Sequence, residues 1–232
     1  LPACSPDSSD ESIPRRTTPP TTGTRSSSPL RTAAGDQALV QSLGVQQEDV
    51  ENGYAVVPIT DGDKVEGSVT LDLCSARFPS EQLRVARRQV AVADAQLQTW
   101  LSTEAVLYES PAATDQVFAE LREAQARCPS TFVAPPNSDV VPLKTVFNPP
   151  PDGRWPQTPG VDRLAFDLGL SDQEGRTLRT VAVYLRRGRV LLGVYFPRPE
   201  QRQLDVNGRT TIESIVAGFA QRLSRLPASA VS

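Results

Sequence analysis

The chain has 232 residues, 24 Lys plus Arg against 27 Asp plus Glu, a net charge of −3, and neither histidine nor methionine. Mixed charge near neutrality gives no electrostatic case for binding nucleic acid. Without histidine there is no Ser-His-Asp or Cys-His nucleophile, no imidazole base and no imidazole metal ligand.

Leu1-Pro2-Ala3-Cys4 sets a small residue before a cysteine, with a leucine three places back. This resembles the lipobox of bacterial lipoproteins, although Pro2 stands where a small or aliphatic residue is usual. The resemblance implies cleavage before Cys4 and acylation of its thiol, which would hold the chain on the extracytoplasmic face of a cell membrane. The missing Met fits a processed or trimmed sequence, with a signal peptide upstream. The bland alternative is a cysteine that merely falls near the start.

From Ser5 to about Gly35 the residues are mostly Ser, Thr, Pro, Asp, Glu and Arg, with Ile13 and Leu30 as the large aliphatics. Such a segment buries too little apolar surface to offset the entropy of ordering it. A flexible coil of this length reaches roughly 30 Å, and about 90 Å when drawn into polyproline II. Residues 1–35 are therefore expected to be a disordered tether, and residues 36–232 one globular domain with a proper core. No apolar run approaches the ~20 residues of a membrane span. Basic residues are almost all Arg, with only Lys64 and Lys144, a bias that suggests a GC-rich genome.

The domain opens with helical spacing of Ala38, Leu39, Ser42 and Leu43 behind an Asp36 cap, ending at Gly44. Tyr54 to Ile59 and Ser68 to Leu73 read as strands, with a turn at Asp61-Gly62-Asp63. Those carboxylates lack the loop pattern of a calcium site. Gln89 to Ala93 is a strand, and Arg84 to Arg88 before it is ambiguous. Trp100 to Tyr108 alternates, with Glu104, Val106 and Tyr108 on one face, and a short loop makes a hairpin with the strand before.

Pro111 to Cys128 is the clearest helix of the middle third: Val117, Leu121, Ala124 and Cys128 share one face, and Pro129 stops it. In an exported domain the pair Cys74 and Cys128 reads as a disulfide. Its loop of about 54 residues would stabilise the fold by ~4 kcal/mol through closure entropy, less any strain. Two buried free thiols in a cytosolic protein are the alternative, and two cysteines without histidine make a poor zinc site.

Phe132 to Gly160 is rich in proline, with one short strand at Val141 to Phe147 and otherwise an irregular loop. Trp155 within it is either a loop anchor on the core or a binding-surface aromatic. Arg163 to Leu170, Arg176 to Leu185 and Arg189 to Phe196 form an antiparallel meander. Thr210 and Glu213 match a capping box for a helix carrying Ile212, Ile215, Val216, Phe219, Ala220 and Leu223 on one stripe, stopped at Pro227. The fold class expected is α+β, an antiparallel sheet with helices packed on it.

Two arginine groups are candidate ligand sites. Arg186, Arg187 and Arg189 crowd a hairpin tip, where they could grip an anionic headgroup or polysaccharide or simply solvate an edge. Arg84 and Arg88, set on one face by alternation, with Arg77 and Arg87 nearby, could form a small anion site. Glu48, Asp49 and Glu51 show no catalytic context, and Ser75 and Ser80 have no base in sequence reach. No metal or cofactor site is indicated.

The order of elements resembles the actinobacterial exported domains related to the extracellular sensor domain of the kinase PknH. The pieces that match are Val106-Leu107-Tyr108 leading into a helix that ends Ala126-Arg127-Cys128-Pro129, then Thr180 to Val183, Val190 to Tyr195 and Ile215-Val216-Ala217. The further cysteine pair that many such domains carry is missing here. Actinobacterial lipoproteins with PsbP-like folds are a related class. The resemblance implies a non-catalytic, sensor-like module that binds an envelope lipid, glycan or protein. The alternative is an extracytoplasmic hydrolase of envelope glycans working through paired carboxylates.

Overall fold

The computed structural model describes residues 32–134, 141–200 and 204–232. Cys4 and residues 1–31 of the expected tether lie outside the described residues; its last four, 32–35, instead cap and begin the first helix.

One antiparallel sheet of seven strands organises the domain, in the order β1-β2-β3-β7-β6-β5-β4. The strands are β1 (Ala55–Pro58), β2 (Arg84–Ala93), β3 (Thr99–Tyr108), β4 (Leu143–Asn148), β5 (Asp162–Asp172), β6 (Thr177–Arg187) and β7 (Val190–Pro197). The helices are α1 (Ala33–Leu43), α2 (Pro111–Ala126), α3 (Ile212–Ser224) and the single-turn α4 (Ala228–Val231). The α+β expectation holds, and the hairpin and the three-strand meander fall where alternation places them.

Period-two alternation divides the sheet between two cores. Ala105 and Leu107 of β3 face one side with Val183, Leu192 and the helix residues Val40, Leu43, Ile215 and Phe219. Val106 and Tyr108 face the other side with Phe166, Tyr184, Leu191 and the α2 residues Val117 and Leu121. The sheet is thus covered on both faces, which is why the middle of β3, β6 and β7 is buried throughout.

Several expectations shift. Thr32, not Asp36, caps α1: its Oγ1 accepts from Gly35 N at 3.1 Å, which leaves Asp36 free for another partner. The cap of α3 is Thr211, whose reciprocal box closes with Ser214 rather than Glu213. Ser68 to Leu73 is not a strand. The Ser68 carbonyl takes Arg84 Nη2 at 2.6 Å, and the Glu81 carboxylate accepts from Thr70 N and Leu71 N at 3.0 and 3.1 Å. Side chains therefore occupy the backbone groups that a ladder would have used.

Cys74 and Cys128 form a disulfide with a Cα–Cα distance of 5.4 Å. Cys128 lies just past the end of α2, and Cys74 lies in a short helical turn rather than at a strand end. No helix among the described residues is long and apolar enough to cross a membrane.

Candidate functional site

The hairpin-tip arginines are tied inward. Arg189 is 3% exposed; its Nη2 meets Asp36 Oδ1 at 2.6 Å, and its other nitrogens donate to the carbonyls of Tyr108 and Ala230. Arg187 donates to the Leu223 carbonyl at 2.6 Å, pinning the tip to the end of α3. Arg186 lies over the Phe118 ring, 5.0 Å from its centroid, and pairs with both Asp115 and Asp162. All three guanidinium groups already have protein partners, so the tip is a structural junction.

The proposed pairing of Arg84 with Arg88 meets a different obstacle. A bulge at Val85 breaks the alternation, because Arg84 sits opposite Tyr108 while Ala86 sits opposite Leu107. Arg84 therefore falls on the α2 side of the sheet and Arg88, opposite Ala105, on the α1 side. The two do not meet. A bulge changes the face of every residue before it, and sequence alternation cannot see one.

On the α2 side, Arg84 and Arg87 join Glu81 and Glu104 around Thr70. Thr70 Oγ1 donates to Glu104 Oε1 at 2.8 Å and accepts from Arg84 Nη1 at 2.8 Å, while Arg87 Nε pairs with the same Glu104 oxygen. Burial pushes the Glu104 carboxyl up to about 7, with Arg87 and Thr70 pulling it back down. Glu104 is 2% exposed. Glu81 and Glu104 are thus neighbouring carboxylates, but their oxygens are taken up in fastening the 59–83 segment to the sheet. Arg87 adds bonds to the Asp61 and Gly62 carbonyls at 3.1 and 3.3 Å.

Arg88 does line a cleft. Between the end of α1 and β1–β2 lies a polar trough of about 380 Å³, with Arg88 beside Gln41, Gln46 and Gln47. Its guanidinium is held there by Asp63 at 2.8 Å. Trp155 is half-buried against the core on the α1 side, and Arg163 lies 5.4 Å from its ring centroid while also bonding Asp152 at 3.0 Å. Of its two readings, the loop anchor fits this placement.

The more complete site lies under the disulfide. A cleft of about 150 Å³ opens between the turn Asp72–Ser75 and the outer strands β4 and β5. Leu168 and Leu170 of β5 and Leu143 of β4 give it apolar walls, and Val133 and Val141 flank it. Three polar side chains line it: Asp72, Ser75 and Thr145. Among the described residues none of the three has a side-chain hydrogen bond to another residue. Asp72 is exposed by area, yet its carboxyl is hemmed in by protein; burial raises its pKa and its own N–H opposes the rise.

The roof is held in an uncommon conformation. Cys74 and Ser75 are consecutive non-glycine residues in the left-handed region, with φ of 57° and 55°. Each costs roughly 1 kcal/mol, so the surroundings must enforce the turn. The disulfide to the end of α2 does so, together with the bond from Ala76 N to the Leu73 carbonyl at 3.1 Å. Sequence reading missed Asp72 and Thr145. Its one usable pointer was Cys74, two residues from Asp72, but a strand reading hid the carboxylate.

Among the described residues no cluster of Cys, Asp or Glu could hold a metal ion. No protein-family model matches the chain, and no curated protein matches it in sequence. A solved structure, the extracellular domain of PknH from Mycobacterium tuberculosis, is similar at 12% identity and a TM-score of 0.42; the match covers 90% of this chain and 99% of that one.

Proposed function

We propose that this chain is an extracytoplasmic, non-catalytic binding module of the cell envelope, held to the membrane by a lipid on Cys4. The residues before Thr32 act as the tether, and the domain that opens with α1 is the binding part. The observation that carries the binding role is the cleft under Cys74 and Ser75, where three polar side chains without partners among the described residues line an otherwise apolar hollow. A few convergent polar groups in an apolar cleft are the usual composition of a small-ligand site. The disulfide supports an oxidising compartment, since such bridges persist outside the cytosol. Glu81 and Glu104, the two carboxylates that meet at Thr70, are engaged in fastening a loop, which favours binding over hydrolysis.

Native mass spectrometry of the protein extracted from its own envelope tests both parts. The expected result is a non-covalent adduct on the domain and an added acyl mass on the peptide that contains Cys4. A bare mass, with a Cys4 thiol open to alkylation, would overturn the proposal.

A further inference from the structure

The geometry points to a small organic cation as the occupant of the cleft: an amine on a compact apolar body, about the size of one six-membered ring. This rests on the reading of the cleft as a ligand site. Its volume of about 150 Å³ sets the size of the body. A dry apolar cavity of similar volume, about 150 Å³, takes one benzene molecule. Leu143, Leu168 and Leu170 supply the apolar contact such a ring needs.

The polar groups set the sign of the charge. Asp72 offers only acceptor oxygens when ionised, and Ser75 and Thr145 each add a hydroxyl that can accept. An ammonium group carries three N–H donors and no acceptor, which matches three acceptor side chains in number. Among the described residues no Arg or Lys lines the cleft, so an anion would meet Asp72 with nothing to neutralise it. A neutral ligand would displace water from the carboxylate and replace it with fewer donors, which is costly. An amine avoids both penalties.

The roof favours a preformed site. Two left-handed residues pinned by a disulfide keep Asp72 and Ser75 in place before any ligand arrives, which lowers the ordering cost of binding.

Three probes of one shape separate the possibilities: benzylamine, benzyl alcohol and benzoate, each titrated into the full chain at pH 7 and followed by NMR. Benzylamine is expected to bind about tenfold or more tighter than benzyl alcohol, because a charge-assisted hydrogen bond is roughly twice as strong as a neutral one. Benzoate is expected to bind weakest. Asp72→Asn, a change of charge at an exposed residue, should bring benzylamine to the level of the alcohol and leave the alcohol unchanged. Leu170→Trp, which fills the hollow, should weaken benzylamine and alcohol together. Equal affinity for amine and alcohol, or an amine affinity unmoved by Asp72→Asn, overturns the cation assignment and leaves the cleft as a site. Binding of none of the three, or binding untouched by Leu170→Trp, overturns the cleft itself.

Discussion

Arg189 and Asp36 are 153 residues apart in sequence and meet at 2.6 Å. The pair joins the first turn of α1 to the start of β7, under the hairpin tip. Because Arg189 also donates to two backbone carbonyls, removing it strands three acceptors at once. Breaking a buried charged pair from one side costs about 3–5 kcal/mol. Asp36 keeps some solvent, so Arg189→Ala should sit at the lower end, near 3 kcal/mol. For a chain of this size that is a fall in Tm of about 6–12 °C. Arg189→Lys should recover less than half of it, since an ammonium cannot reproduce the fork of the guanidinium. An Arg189→Ala protein as stable as the parent would return the tip arginines to the pool of free ligand-binding groups.

Gly188 gives a sharper test of the same corner. It turns the β6–β7 hairpin at φ +54°, and a Cβ there would overlap the carbonyl of Val231 in α4. Gly175 also has positive φ, at +81°, but open space surrounds it. Gly175→Ala should therefore cost only the conformational penalty of roughly 1 kcal/mol. Gly188→Ala carries that penalty and must also displace α4, so the expected loss is at least about 2 kcal/mol. Urea midpoints of the two variants should differ clearly. Equal losses would mean that α4 does not pack against the turn.

The Cys74–Cys128 disulfide adds to stability through the unfolded chain. A closed loop spanning 54 residues restricts the unfolded chain, and the double variant Cys74→Ser, Cys128→Ser should lose about 4 kcal/mol, less any strain relieved. The left-handed turn at Cys74 and Ser75 loses its main restraint at the same time. Alkylation of unreduced, denatured protein should leave Cys74 and Cys128 unlabelled, and labelling of either would sink the bridge.

Much of this fold was readable because strong periodic signals coincide with punctuation. The meander β5–β7 shows alternation bounded by glycine turns, α2 shows a helical stripe between Pro111 and Pro129, and α3 shows one that stops before Pro227. What escaped reading has local causes. Ser68 to Leu73 carries β-forming residues, yet Glu81 and Arg84 claim its backbone groups from ten or more residues away. The bulge at Val85 moved Arg84 to the opposite face from Arg88. The four residues of α4 are too few to show any period. Asp72 and Thr145 come together only because the sheet brings β4 beneath a turn some seventy residues earlier, a contact that no local pattern announces.

Acid should destabilise the domain partly through Asp167. Arg179 grips this carboxylate with two nitrogens, at 2.9 and 2.5 Å, and Asn148 donates to it at 2.9 Å. The Arg179 bonds are the main cause that holds its pKa below the ordinary 3.8, against the opposing effect of burial. A folded pKa below the unfolded one means that the folded chain binds fewer protons. The stability this pair adds is therefore complete well above pH 3.8 and is lost as the pH falls through the folded value. Arg179 is about half exposed, so solvent screens the pair and the gain is modest. Asp167→Asn should be less stable than the parent at pH 7, and its urea midpoint should decline less between pH 5 and pH 2.5. If both proteins decline in parallel over that range, the Asp167–Arg179 pair is not a source of acid sensitivity.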